Sequence, residues 1–158
     1  MVEEGSNGSL GTGNAPNIIG EMTRPALMSS VPELVDFVSS VERQEGFTGE
    51  RIEEVGAALR EALANIAERA DAGQGKDIVV TCKHDHWRKL VIVIADRGRA
   101  FNILLADVVF QGEEGPADEK SRASARLIKK MIDNIEQKRV DETNVLTFSV
   151  SPGLRTRH

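Results

Sequence analysis

The chain carries one cysteine, Cys82, among 158 residues. An internal disulfide is therefore excluded, and a lone thiol suits a reducing cytoplasm. No apolar run approaches the roughly 18 residues that a spanning helix needs. The N-terminus also lacks the basic-then-apolar order of a signal peptide. A cytoplasmic protein with no membrane partner is expected. Dense positive charge is missing too: 20 Lys and Arg stand against 25 Asp and Glu, for a formal net charge of −5. Nucleic-acid backbones are held by clustered cations, so direct nucleic-acid binding is not expected. Trp87 is the only tryptophan.

What is present suits one domain with a real core. Residues 1–21 are glycine-rich and polar, a flexible tail by composition. Its Gly8-Ser-Leu-Gly11-Thr-Gly13 has no preceding strand, so it does not qualify as a phosphate loop. Residues 22–150 hold the periodic segments, and 151–158 form a short C-terminal tail. Met22 to Ser29 reads as an edge strand. Ser30-Val-Pro-Glu33 has capping-box spacing before a first helix that ends near Gly46. Thr48 then caps a central helix, and Asp71 to Lys76 is a turn. Asp77–Lys83 and Lys89–Ala95 are strands, joined by a hairpin loop at Asp85–Arg88 that Trp87 is expected to cap. Asn102 to Lys120 is irregular and polar, as functional lids often are. Its Ile103 to Phe110 run reads as a helix packed on the domain. A third helix begins at Ser121, with Leu127, Ile128, Met131, Ile132 and Ile135 as its stripe, and Asn144 to Val150 is the last strand. A hairpin with helices gathered on one face predicts a two-layer α/β sandwich with a mixed sheet.

The central helix organises the rest. Ile52, Val55, Leu59, Leu63, Ile66 and Ala70 recur at helical spacing and form its core stripe. Glu61 and Asn65 lie four apart, hence side by side on a different face. Ala57, Ala58 and Ala64 accompany them and leave room for a ligand to approach. A solvated face would also carry such a pair. Cys82, His84 and His86 alternate along a strand and offer soft metal ligands; a strand entering a polar loop explains them equally, and no fourth ligand is evident.

Glu61-Ala-Leu-Ala-Asn65, Asp96-Arg-Gly98-Arg-Ala100-Phe101, and the closing helix and strand from Arg126 resemble the GHKL (histidine-kinase-like) ATPase superfamily, and within it the anti-sigma-factor serine kinases. That resemblance implies a Bergerat-type sandwich binding ATP and Mg²⁺. It implies that Glu61 takes the proton of an attacking serine hydroxyl and that Asn65 holds Mg²⁺ through its amide oxygen. Asp96 would accept from the adenine amino group, with Gly98 letting the backbone approach the base. The implied partners are a sigma factor and its antagonist (anti-anti-sigma) protein, and such relatives often form homodimers.

The sequence departs from the family at the phosphate end. Ala100 replaces the second glycine of D-x-G-x-G, and the glycine pair that clamps the triphosphate aligns with Arg122-Ala-Ser124. Glycine there supplies positive φ or close backbone approach. Arg122 offers a fixed cation instead. Two functions follow: an ATP-dependent serine kinase, or a catalytically inactive protein-binding module on the same scaffold.

Overall fold

A computed structural model describes residues 17–70, 76–110, 113–114 and 118–154. The glycine-rich stretch at Gly8–Gly13, most of the turn at Asp71–Lys76, residues 111–112 and 115–117 of the polar loop and the last four residues lie outside them.

Five strands form one sheet: β1 (Ile18–Pro25), β2 (Asp77–His84), β3 (Leu90–Asp96), and a hairpin of β6 (Asn134–Val140) and β7 (Thr143–Val150). Their order is β1-β2-β3-β7-β6, and every neighbouring pair is antiparallel. Two short strands, β4 (Val109–Phe110) and β5 (Glu113–Glu114), pair separately. The helices are α1 (Val31–Gln44), α2 (Gly49–Arg69) and α3 (Glu119–Met131). Inward residues Ile78, Val80, Cys82, Ile92, Ile94, Leu146 and Phe148 are buried with Leu34, Val38, Val55, Leu59, Leu63 and Ile128 of the helices. The outward Val79, Thr81 and Lys83 of β2 are only half-buried. The two-layer sandwich is as expected.

The mixed sheet is not, and β6 is the reason. A helix leading straight into the last strand would lay that strand parallel to β3. The extra strand reverses the chain once more, so β7 runs antiparallel to β3. Residues Asn134–Val140 were hidden because β6 is an edge strand whose alternate residues Glu136 and Lys138 are charged, as edges that resist further pairing tend to be. Its turn uses Asp141 and Glu142, both at positive φ (49° and 66°), without the Asn-Gly that usually marks such a hairpin. Ile135 accordingly sits in β6, and α3 ends at Met131.

Other boundaries shift for local reasons. β1 starts at Ile18, ahead of the expected Met22. Ser30 lies in a 3-10 turn (Met28–Ser30) that runs into α1 with helical φ, so its side chain makes no cap bond. Glu33 reaches Arg24 instead, at 3.3 Å. Thr48 does cap α2, accepting from the Arg51 amide at 3.2 Å. α3 is capped by Asp118, which accepts from the Ser121 amide at 2.7 Å, not by Ser121. The Ile103 segment forms a 3-10 turn (Ile103–Leu105), with Ile103 and Ala106 buried, rather than a helix. Trp87 is 82% exposed and meets the His86 ring edge-on, so it stands out from the hairpin and does not cap it.

Arg51 joins the layers. It is fully buried and donates to the carbonyls of Ser151 (2.8 Å) and Met131 (2.7 Å), to Glu54 (3.0 Å) and to Asp133 (2.5 Å). One guanidinium thus ties the start of α2 to the ends of α3 and β7.

Candidate active site

A pocket opens between α2 and the ends of β3 and β7. Its apolar wall includes Ala62, Ile66, Phe101, Ile103 and Leu146, and its polar groups include Asn65, Asp96 and Asn144. Arg69, Lys76, Arg97 and Arg99 add positive charge around it. Asn65, Asp96 and Gly98, predicted from separate segments, are therefore brought to one place.

Asp96 ends β3 and is buried. Its Oδ1 accepts from the Gly98 amide at 2.9 Å and from Asn144 Nδ2 at 3.2 Å. A side chain at position 98 would set its Cβ 3.0 Å from that same oxygen, so the carboxylate or the loop would have to give by a few tenths of an ångström. Asn144 also donates to the Arg99 carbonyl at 2.9 Å. Arg139 in turn donates to Asn144 Oδ1 (2.9 Å) and to the Gly98 carbonyl (3.0 Å). The loop after β3 is thus pinned from β6 and β7, by two residues that no local pattern pointed to. Ala100 lines a neighbouring hollow with Phe101 and Arg139 and does not line the main pocket. It is not among the positive-φ residues, so alanine sits there without backbone strain.

The phosphate end differs from the expectation. Arg122-Ala-Ser124, which aligns with the family's phosphate-clamping glycines, lies in the first two turns of α3. α3 packs against α2 and sets its serines on the predicted pair. Ser124 Oγ donates to Glu61 Oε1 at 2.6 Å, and Asn65 Nδ2 donates to Ser121 Oγ at 3.3 Å. Asn65 Oδ1, the atom expected to hold Mg²⁺, accepts from Arg69 Nε at 3.2 Å. Arg69 also stacks 3.3 Å over the Phe101 ring, and burial lowers its pKa. Arg122 bonds to Glu119 one turn earlier, at 2.9 Å, and is outside the pocket lining. Asp118 is held below the usual carboxylate range by the bonds from Ser121. Ala58 is buried rather than ligand-facing, because α2 is flanked by helices as well as by the sheet.

At the base end the residues fit an adenine nucleotide: apolar walls, one buried carboxylate and a glycine whose amide returns to that carboxylate. At the phosphate end Asn65 is engaged on both sides, its Nδ2 with Ser121 and its Oδ1 with Arg69, and its oxygen would hold Mg²⁺ together with phosphates and waters only with Arg69 moved off it. Among the described residues, no group of three or more His, Cys, Asp or Glu is placed to hold a metal by itself. Cys82 is buried, and His84 meets Glu45 at 2.6 Å. No described helix is long and apolar enough to cross a membrane.

The family model for the histidine kinase-like ATPase domain matches residues 24–150. A search of the curated proteins finds no match. With the Asp96–Gly98 turn and Asn65 facing one pocket across that matched span, the chain belongs to the histidine kinase-like ATPase family.

Proposed function

We propose that this protein is a regulator of the anti-sigma-factor type, which binds ATP with Mg²⁺ and phosphorylates a serine on an antagonist protein. The observation that carries the reading is the convergence of Asn65, Asp96 and Gly98 on one pocket, with Glu61 one turn from Asn65 on α2. Bound nucleotide supplies the phosphoryl group and the metal neutralises its charge. Asp96 selects adenine, and the apolar wall excludes water from the base. Glu61 accepts the proton of the acceptor serine; its reach to a serine hydroxyl is already visible in the 2.6 Å bond from Ser124. A sigma factor and an antagonist are the proposed partners, with a homodimer as the proposed assembly and the cytoplasm as its place.

A second reading has its own support. Ser121 and Ser124 occupy Asn65 and Glu61, and Arg122 is turned to Glu119. A protein so arranged can work as a binding module, acting by partner sequestration alone. Calorimetry with ATP and Mg²⁺ separates the two. Saturable binding that is weakened by Asp96→Ala supports the kinase; a flat titration at millimolar ATP removes it and leaves the module.

A further inference from the structure

Resting on the nucleotide-binding reading above, we propose that Arg69 is the phosphate-holding cation of this pocket, so that a nucleoside di- or triphosphate binds without a divalent metal ion. Only the transfer step then needs the metal. Arg122, the cation that the alignment offers for this charge, bonds to Glu119 and is outside the pocket lining. Arg69 lines the pocket itself, from the last turn of α2. It lies 3.3 Å over the Phe101 ring, and its Nε donates to Asn65 Oδ1 at 3.2 Å. The guanidinium therefore stands at the very oxygen that Mg²⁺ would otherwise take.

That guanidinium is poorly satisfied. The carboxylates whose charge reaches it are Asp118 and Glu68. Asp118 accepts from the Ser121 amide at 2.7 Å, and Glu68 pairs with Lys120. Among the described residues no carboxylate pairs with Arg69, and the oxygen it does meet belongs to a neutral amide. Burial works against its charge, and Arg99 repels it. The surrounding lining sets Lys76, Arg97 and Arg99 against Asp77 and Asp96, and Asp96 already accepts from Gly98 and Asn144. A half-buried cation without a paired anion suits an anionic ligand. The apolar wall beside it, with Ile66 and Phe101, suits a ligand that also carries a base. A phosphate offers the guanidinium two charged oxygens in place of one neutral oxygen, and such forked, charge-assisted bonds are roughly twice as strong. Arg69 thus exchanges Asn65 for the phosphate, and the same movement releases the Asn65 oxygen.

The test is calorimetry of the full chain with ATP, once with Mg²⁺ and once with EDTA. Affinities within about threefold of each other are expected, less than the roughly tenfold cost of losing one bond to a charged group. In EDTA, Arg69→Met should weaken ATP by about 10- to 100-fold, the scale of that lost bond. Arg69→Lys keeps the charge but not the fork, and should fall between the two. ATP bound in Mg²⁺ but not in EDTA overturns the proposal and leaves the nucleotide site standing. Equal ATP affinity in wild type and Arg69→Met does the same, as does a lysine variant no better than the methionine one. Absence of binding under both conditions overturns the proposal and the nucleotide site together.

Discussion

Asn144 on β7 stands directly across the ladder from Asp96 on β3 and donates to its Oδ1 at 3.2 Å. This cross-strand pair, with Gly98 and Arg139, aims the carboxylate that would read the base.

Replacing Asn144 by Ala leaves Asp96 with the Gly98 amide, removes the donor to the Arg99 carbonyl and leaves Arg139 with the Gly98 carbonyl. ATP affinity should fall by about 1–3 kcal/mol, the scale for leaving a buried polar group unpaired. Calorimetry measures it directly, and equal affinity in both proteins would remove Asn144 from the site.

Gly98→Ala tests the turn itself. The new Cβ would lie 3.0 Å from Asp96 Oδ1, so carboxylate or loop must move. The cost should be about 1–3 kcal/mol, as for overpacking, and should show in ATP affinity more than in the melting temperature. Ala100→Gly, at a position with no positive φ, should leave affinity nearly unchanged.

Arg51→Met should be among the most destabilising single changes in the chain. It takes the guanidinium away from Glu54 and Asp133 and the donor away from the Ser151 and Met131 carbonyls. A loss of about 3–5 kcal/mol is expected, the scale for breaking a buried ion pair, visible as a lower urea midpoint. A loss under about 1 kcal/mol would show that surface-like screening reaches Arg51.

Glu42 on α1 is fully buried, and among the described residues neither carboxyl oxygen has a hydrogen-bond partner. Burial pushes its pKa from 4.5 up to about 8, against the opposing pull of Arg51 and Arg43. The folded state thus keeps this proton at pH values where the unfolded chain has lost it. Its contribution to stability is complete below pH 4.5, declines as pH rises, and is gone above about 8. Glu42→Gln cannot ionise. Its stability relative to wild type should therefore rise with pH across that window, by up to about 1.4 kcal/mol per unit, then level off. Denaturant titrations at several pH values check this, and parallel curves would contradict it.

The sequence by itself determined the elements whose signals are local. The period of α2, its Thr48 cap and the β2–β3 hairpin follow from spacing or residue type within one segment, and Glu61, Asn65 and Asp96-Arg-Gly98 stand out by their resemblance to the family's motifs. Tertiary structure alone decided what those residues meet. A charged edge strand with a glycine-free turn carries no apolar alternation, so β6, Arg139 and the antiparallel register that sets Asn144 against Asp96 were not legible. The same holds for α3. Nothing within Arg122-Ala-Ser124 says that its serine hydroxyl will lie on Glu61, because that contact joins residues 63 apart in sequence and depends on how two helices pack. Periodicity tells which face of a helix is apolar; which polar groups meet across the remaining faces is fixed by packing between distant segments.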